Sequence, residues 1–183
     1  MAFTFERLEI PDVVLVRPDR HADERGHLVE TWRRSAFAEA GIDVPFVQTN
    51  VVRSRGGVLR GLHYQLPPAE QGKLVGVANG RIFDVAVDLR PGPGFGRWVG
   101  RTLDAEHGEQ LWVPPGFAHG YCVLSDVADV VYQITAEFRP ELDRGFRWDD
   151  PDVGVAWPCA SPILSERDRA LPTLAEAERP FPS

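Results

Sequence analysis

The chain contains 183 residues with a formal net charge of −7, and this length is typical of a single domain spanning residues 1–183. The negative charge excludes sequence-independent binding to nucleic acid or to an anionic membrane surface, so an anionic ligand must be held by a local group of cations. No run approaches the roughly 18 consecutive apolar residues of a membrane span, and the N-terminus lacks a signal-peptide core. Because Cys122 and Cys159 are the only cysteines, we expect free thiols and a cytoplasmic protein.

Short apolar stretches separated by Gly, Pro and Asn recur about every 8–14 residues, a rhythm typical of an all-β sandwich or barrel. We therefore predict an all-β jelly roll, a double-stranded β-helix in which closure or sheet packing protects the strand edges. Two pairs of these stretches are predicted to form hairpins. The other predicted strands are Val13–Val16, Leu28–Trp32, Trp98–Leu103, Gln110–Val113, Tyr121–Leu124 and Asp129–Phe138.

Two glycine-containing turns predict hairpins. Leu74–Ala78 and Arg81–Leu89 flank an Asn-Gly pair, which tolerates the positive φ values of a tight turn. In the second arm Phe83, Val85, Val87 and Leu89 alternate with residues that include two aspartates, so we expect one apolar face. Phe46–Ser54 and Val58–Gln65 flank a Gly-Gly pair in the same way.

Helix signals are few and lie near the ends of the chain. Ser35 is placed to cap a short helix that ends at Gly41. Ser165–Asp168 and Thr173–Glu176 each have the spacing of a capping box, in which a hydroxyl and a carboxylate three residues later satisfy amides of the first turn. We expect a few short peripheral helices around the β core.

One stretch of the sequence combines residues suited to proton chemistry. Arg60 and His63 lie on an extended, glycine-interrupted segment, and Lys73 begins the next predicted strand. A neutral imidazole accepts a proton near neutral pH, which suits a general base, but a half-buried structural histidine is an equal alternative. Because position 65 is Gln and no second histidine is near, we do not expect a metal ion here.

Three further residues have both a functional and a structural interpretation. His119 follows a proline-glycine turn and either contacts a ligand or is structural. Tyr132 is expected to share a strand face with Phe138, where core packing is the alternative. Asp168 occupies a capping-box position that favours a carboxylate whatever its function. The sequence contains neither a glycine-rich phosphate loop nor a nucleophile elbow.

These signals occur together and in a familiar order. The chain resembles the nucleotide-sugar epimerase family typified by dTDP-4-dehydrorhamnose 3,5-epimerase, over about Phe3 to Leu174. The resemblance implies a cupin-like jelly roll. The matching segments are Asp23–Glu30, Gln48–Asn50, Leu59–Gln65, Gly72–Val75, Asp84–Asp88, Pro114–Gly120, Tyr132, Trp148–Pro151 and Leu164–Asp168.

The resemblance implies a role for each of four residues. His63 would remove the proton next to a 4-keto group, and Asp168 would hold the other ring nitrogen. Lys73 would stabilise the developing enolate, and Tyr132 would return a proton to the opposite face of the sugar. No metal or redox cofactor enters the reaction so implied.

The resemblance also implies a set of substrate-binding residues, some of them arginines suited to a diphosphate. The chain departs from the family at Phe138, where a tyrosine usually stacks on the base, and at Asp143 and Arg167, which replace Glu and Lys. A phenylalanine keeps the stacking face but lacks the hydroxyl. The implied binding residues are Arg25, Glu30, Gln48, Thr49, Asn50, Arg60, His119, Phe138, Asp143 and Arg167.

The family is typically homodimeric with exchanged N-terminal strands, which would carry Arg25 and Glu30 into the partner's site. The resemblance implies epimerisation of a dTDP-4-keto-6-deoxyhexose at carbons 3 and 5. The alternatives are single-site epimerisation of a related nucleotide 4-keto sugar, a non-catalytic sugar-binding jelly roll and, more remotely, a metal-dependent oxygenase. The nucleotide diphosphate sugar is the implied partner, with no nucleic acid or membrane.

Overall fold

The computed structural model describes residues 2–181, and most of this range is β-sheet. The helical elements of the described range are short: α1 (Arg34–Glu39), a 3₁₀ turn (Pro140–Leu142) and α2 (Glu166–Arg169). The strands are β1 (Phe3–Arg7), β2 (Val14–Pro18), β3 (Arg20–Asp23), β4 (Gly26–Val29), β5 (Gln48–Arg55), β6 (Leu59–Gln65), β7 (Lys73–Asn79), β8 (Arg81–Asp88), β9 (Trp98–Asp104), β10 (Gln110–Val113), β11 (Phe117–Val123), β12 (Val127–Ile134) and β13 (Asp143–Gly145).

Two antiparallel sheets pack face to face. The six-stranded sheet has the order β1-β2-β10-β7-β12-β5, and the five-stranded sheet has the order β13-β6-β11-β8-β9. Strands β3 and β4 form a separate two-stranded sheet. This arrangement confirms the all-β jelly-roll prediction.

The space between the two main sheets is apolar at one end and polar at the other. Alternate residues of the strands point inward, among them Val75, Leu111, Ile82 and Val130, and they form one buried cluster. Lys73, His119 and Tyr132 continue the same inward-facing rows. The polar end of this interior is therefore built on strands that the apolar core holds in place.

Part of the outer face of each sheet is also covered. Helix α1 packs Phe37, which is fully buried, against Trp112 and Leu74 of the six-stranded sheet. Residues 146–177 cross the five-stranded sheet and bury Phe146 and Leu174 against Val85 and Val87. This C-terminal covering segment carries α2.

Both predicted hairpins are wrong. The strands are present, but β7 belongs to the six-stranded sheet and β8 to the five-stranded sheet, and β5 and β6 are divided in the same way. The glycine turns are corners between sheets, and Gly57 and Gly80 have φ values of +75° and +81° there. Positive φ favours glycine at either kind of turn, so the sequence signal does not distinguish a hairpin from a corner.

The predicted apolar face of β8 is present, but it is the outer face of the sheet, and the opposite face is buried as well. Asp84 is fully buried and lies on the inner face with Ile82 and Ala86, while Val85 and Val87 are buried on the outer face. The Asp84 carboxylate is tolerated on the buried inner face because it is hydrogen-bonded to His119. The outer face is apolar because the C-terminal segment covers it.

The remaining predictions differ from the structure mainly at element ends. β10 has the predicted bounds, whereas β4 ends at Val29 and β12 ends at Ile134, before Phe138. Ser35 lies inside α1 and caps nothing, since Arg33 is the N-cap residue. The Ser165 capping residue is confirmed, whereas Thr173–Glu176 forms a hydrogen-bonded turn and not a helix.

Within residues 2–181, every helix is too short to cross a lipid bilayer.

The corner between β7 and β8 gives a stability prediction. Gly80→Ala would place a methyl carbon 2.1 Å from the Val127 carbonyl oxygen, and we expect a loss of about 3 kcal/mol or more in unfolding free energy. Gly57→Ala is the matched control, because its φ is similar but the space beside it is open. We expect it to lose about 1–2 kcal/mol from backbone strain alone. Equal losses of unfolding free energy for the two variants, measured by urea unfolding, would show that the close contact of residue 80 with the Val127 carbonyl has no effect.

Candidate active site

A bulge in β6 places two predicted site residues on one face. Arg60 and His63 are three positions apart, so a regular strand would point them to opposite faces. The register against β11 shifts by one residue between them, which leaves an extra residue in β6 opposite Gly120. Gly61 fits there with a φ of +130°, where a side chain would meet the Gly120 Cα at 2.5 Å. Arg60 and His63 consequently both line the interior cavity.

His63 is held by a carboxylate from the C-terminal segment. Its Nε2 lies 2.6 Å from Oδ1 of Asp168. The backbone amide of Asp168 donates to the Ser165 hydroxyl at 3.0 Å, so the capping interaction of α2 fixes the carboxylate. Burial raises the pKa of Asp168, but the hydrogen bonds from His63 and Ser165 and the Arg167 charge lower it to below its ordinary value.

This geometry defines how the ring of His63 is protonated. An ionised Asp168 can only accept a hydrogen bond, so in a neutral His63 ring the proton must be on Nε2, the nitrogen that faces Asp168. The lone pair is then on Nδ1. His63 is half-buried at the cavity wall, where that nitrogen can act as a base.

A second histidine lies directly across from the first. His119 pairs with His63 in the β6–β11 register, and its Nε2 lies 2.8 Å from Oδ1 of Asp84. Burial lowers the pKa of His119, and Lys73 and His63 lower it further, against the opposing effect of Asp84. His119 is therefore neutral near pH 7, with Nδ1 free to accept a hydrogen bond.

Lys73 and Tyr132 come from the facing sheet. Lys73 is the first residue of β7, and Tyr132 pairs with Val75 of that strand. Burial lowers the pKa of Lys73 to about 8, although Asp143 and Asp84 raise it. Burial raises the pKa of Tyr132, which Arg60 and Asn50 partly offset, so the phenol keeps its proton at neutral pH.

These residues line two adjoining cavities that form one cleft. The inner cavity has a volume of about 230 Å³ and the outer one about 300 Å³, and both are lined by His63, Lys73, Tyr132 and Arg167. A larger cavity of about 460 Å³ lies on the outer face of the six-stranded sheet and contains none of these four residues. We assign the site to the cleft because the titratable groups converge there.

Several predicted binding residues form the outer end of the cleft. Gln48 donates to Asn50 at 3.0 Å and accepts the backbone amide of Phe138 at 2.9 Å, so β5 positions the Phe138 segment. Phe138 is half exposed at the cleft mouth. Arg167 Nη2 lies 2.5 Å from Oδ2 of Asp143, which joins the C-terminal segment to β13.

The structure does not bring three predicted binding residues into this cleft. Thr49 alternates with Gln48 and Asn50 and therefore points to the outer face of its sheet, where it lines the larger cavity. Arg25 lies in the turn of the exposed β3–β4 hairpin beside Asp23. Glu30 follows that hairpin and lies 3.6 Å from Arg33. Thr49 therefore lies outside the cleft of its own chain, and its contact with a ligand stays a prediction.

Sequence reasoning did not assign to the site three residues that the structure brings to the cleft or to its supports. Asp84 supports His119, Ser165 fixes Asp168, and Tyr121 lines the inner cavity. The period of β11 could have identified Tyr121, since it is two residues from His119. Asp84 could not be found in this way, because its inward direction depends on the two-sided burial of β8.

Within residues 2–181, no three His, Cys, Asp or Glu side chains are grouped closely enough to hold a metal ion. The cleft instead combines a histidine–aspartate pair with a lysine and a tyrosine on facing walls. Together with the jelly-roll fold, this defines an enzyme of proton-transfer chemistry with cations placed for an anionic ligand.

Comparison with known proteins identifies the family. Residues 7–176 match the sequence model of dTDP-4-dehydrorhamnose 3,5-epimerase. The protein of that description from Pseudomonas aeruginosa is 50% identical over 175 residues, covering 94% of this chain and 96% of the relative. The one from Neisseria gonorrhoeae is 50% identical over 172 residues, covering 93% of this chain but 52% of that longer relative.

Solved structures agree with the sequence relatives. The 3,5-epimerase of Legionella pneumophila in complex with dTDP-4-keto-L-rhamnose is 41% identical with a TM-score of 0.92, covering 95% of this chain and 94% of that one. ChmJ, a 3′-monoepimerase of Streptomyces bikiniensis in complex with dTDP-quinovose, is 37% identical with a TM-score of 0.87, covering 93% and 87%. The chain belongs to the dTDP-4-dehydrorhamnose 3,5-epimerase family of isomerases.

The Ser165 cap gives a prediction that links local structure to activity. Ser165→Ala is expected to lower the unfolding free energy by about 0.5–2 kcal/mol. It should also lower epimerase turnover by about tenfold, because the Asp168 carboxylate is no longer held in line with His63. Turnover and urea unfolding are measured on the same samples.

Two variants serve as controls for that prediction. Ser165→Asn retains a capping side chain and should retain most of the turnover. Thr173→Ala removes the hydroxyl that bonds Glu176, outside the cleft, and should affect stability without affecting turnover. Wild-type turnover in Ser165→Ala would contradict the positioning role.

Proposed function

We propose that this chain inverts carbons 3 and 5 of a dTDP-4-keto-6-deoxyhexose. A proton is removed from the carbon beside the ketone and another is added from the opposite face. The observation that carries the proposal is the placement of the His63–Asp168 pair on one wall of the cleft and Lys73 with Tyr132 on the other. Two walls with opposite proton functions are what inversion at carbon requires.

In the first step Nδ1 of His63 removes the proton from the carbon. The electron pair of the broken C–H bond forms the enolate, and negative charge develops on the ketone oxygen. The ammonium group of Lys73 stabilises that charge, so the reaction needs no metal ion or other cofactor. The ionised Asp168 stabilises the imidazolium that forms on His63.

In the second step the phenol of Tyr132 donates its proton to the other face of the same carbon. The enolate electrons form the new C–H bond, and the ketone is restored. His63 releases its proton to solvent and Tyr132 regains one, so the enzyme is unchanged after each inversion. The second carbon reacts in the same way once the sugar has moved in the cleft.

The nucleotide diphosphate occupies the outer part of the cleft in this proposal. Phe138 offers its exposed ring for stacking on the base. Arg60 and Arg167 bind the diphosphate. Asp143 pairs with one Nη of Arg167 and so fixes the orientation of the guanidinium group. The other N–H donors of Arg167 remain available to the diphosphate. Gln48, Asn50 and His119 contribute the remaining polar contacts.

We also propose that the protein acts as a homodimer. The β3–β4 hairpin belongs to neither main sheet and is exposed along both strands, with Leu28 60% exposed. A two-stranded hairpin of this kind is marginally stable in water by itself. A second copy of the chain would cover it and receive Arg25 and Glu30 in its cleft.

The chain is proposed to act as one domain in the cytoplasm. Cys122 and Cys159 are both free thiols, which suits a reducing compartment.

Single-site epimerisation is the second candidate. Phe138 lacks the hydroxyl expected at that position, and the similar structure of ChmJ is that of a monoepimerase. Stacking on the retained ring strengthens nucleotide binding by about 0.5–1.5 kcal/mol, and loss of the hydroxyl's hydrogen bond weakens it by about the same amount. Because these contributions are similar, early release of a singly inverted intermediate is the step that separates the two candidates.

Deuterium labelling tests the function directly. The enzyme is incubated with dTDP-4-keto-6-deoxyglucose in deuterated water, and we expect deuterium at both carbon 3 and carbon 5. Label confined to one carbon at long times would favour the single-site epimerase, and no label with folded enzyme would contradict both candidates.

The same assay separates the base from the acid. His63→Ala should abolish exchange, whereas Tyr132→Phe should slow net inversion and retain some exchange, because the acid acts only after the enolate exists. Wild-type exchange in His63→Ala would refute the assigned base.

The low pKa of Lys73 gives a pH prediction. The ammonium form exists below a pKa of about 8 and is lost above it, so kcat/KM should fall as the pH rises through about 8. Lys73→Arg keeps its charge throughout this range, so its remaining activity should show no such fall. A wild-type profile that is flat from about pH 7 to about pH 9 would contradict the role of Lys73.

A further inference from the structure

Tyr121 carries a polar atom that the described protein leaves unpaired. The residue is 3% exposed, and its hydroxyl is buried with no hydrogen-bond partner among residues 2–181. Burial raises the pKa of this phenol and its interaction with the Ser54 side chain lowers it, but the contact between the two side chains lies outside hydrogen-bond geometry. Instead, the Ser54 hydroxyl accepts a hydrogen bond from Nε of Arg60 at 3.1 Å.

Tyr121 lines the inner cavity of the cleft, and its hydroxyl is buried in the cavity wall. Tyr121 follows His119 by two residues on β11, so both side chains point inward, with ring centroids 6.3 Å apart. Tyr121 pairs in register with Asp84 on one side and with Arg60 on the other. It lines the same cavity as Lys73 and Tyr132.

Core packing does not explain the hydroxyl. The Tyr121 ring belongs to the apolar cluster between the sheets, beside residues such as Val123 and Val130. A phenylalanine would fill that space equally well and would leave no buried polar atom unpaired. The cavity that Tyr121 lines is therefore the place to seek a partner for the hydroxyl.

We propose that the Tyr121 hydroxyl binds the substrate by hydrogen-bonding an oxygen atom of the sugar ring or its hydroxyl groups. This inference rests on the proposed function, which places the keto sugar beside Lys73, His119 and Tyr132. Tyr121 contacts the sugar and takes no part in proton transfer to carbon. It is a determinant of specificity, because a sugar without the matching oxygen would leave the phenol unpaired.

Binding measurements with Tyr121→Phe test the inference. The probes are dTDP and dTDP-rhamnose, which lacks the 4-ketone and does not react. We expect the variant to bind dTDP-rhamnose about 3- to 10-fold more weakly, the effect of one hydrogen bond, while its affinity for dTDP is unchanged. KM for the keto sugar should rise by a similar factor, with a smaller change in kcat.

Stability measurements separate a ligand contact from a structural one. Tyr121→Phe should unfold at the wild-type temperature or above it, since its hydroxyl bonds no protein atom. Tyr64→Phe is the matched control, because the Tyr64 hydroxyl donates to the Glu178 carbonyl and its loss should lower the unfolding temperature. A lowered unfolding temperature in Tyr121→Phe would reveal a structural hydrogen bond and overturn the inference.

The outcomes distinguish this inference from the proposed function. If the wild type neither binds dTDP-rhamnose nor incorporates deuterium, the proposed function itself fails. If the wild type does both and Tyr121→Phe binds dTDP-rhamnose with equal affinity, the hydroxyl does not contact the sugar and only the role of Tyr121 is refuted. An equal loss of affinity for dTDP and dTDP-rhamnose would also refute it, because the contact would not be with the sugar.

Discussion

The close approach of Gly61 to Gly120 is the constraint on which the cleft depends. Without side chains at these two positions, β6 can accommodate an extra residue against β11. The bulge turns Arg60 to the inner face and leaves His63 there, opposite His119. A methyl group at Gly61 would meet backbone atoms that belong to the central strand of the sheet, so the strands would have to separate. The positions of Arg60 and His63 in the cleft therefore depend on the close backbone packing at Gly61 and Gly120.

The C-terminal segment has two functions that cannot be separated. Residues such as Phe146 and Leu174 cover the outer face of the five-stranded sheet, and the same segment carries α2 and Asp168 to His63. Ser165 links the two functions, because its capping hydrogen bond fixes the backbone of Asp168. A change that displaces α2 within this segment would consequently alter the base even if every cleft residue were retained.

The residue types of the site could be predicted from the sequence, but their faces could not. The order of His63, Lys73, Tyr132 and Asp168 resembles a known family, whereas local patterns placed both glycine turns in hairpins. A turn signal reports backbone conformation and does not record which sheet the next strand joins. Likewise, alternation along β8 predicted one apolar face and did not reveal that the face with Asp84 is buried as well. Two-sided burial depends on contacts with a segment that is distant in sequence, from Phe146 onward, and no local pattern contains that information.

The charges of the cleft explain how a chain with a net charge of −7 can bind an anion. The buried carboxylates of Asp84 and Asp168 are each hydrogen-bonded to a histidine. Each carboxylate therefore interacts mainly with its imidazole. Among the described residues, neither Asp84 nor Asp168 forms an ion pair with Lys73 within 4.0 Å. The lysine is left with its charge partly uncompensated in a buried position, which is the reason its pKa falls to about 8. Such an arrangement opposes folding, yet it places positive charge where the enolate oxygen develops and requires no reorganisation when the reaction occurs.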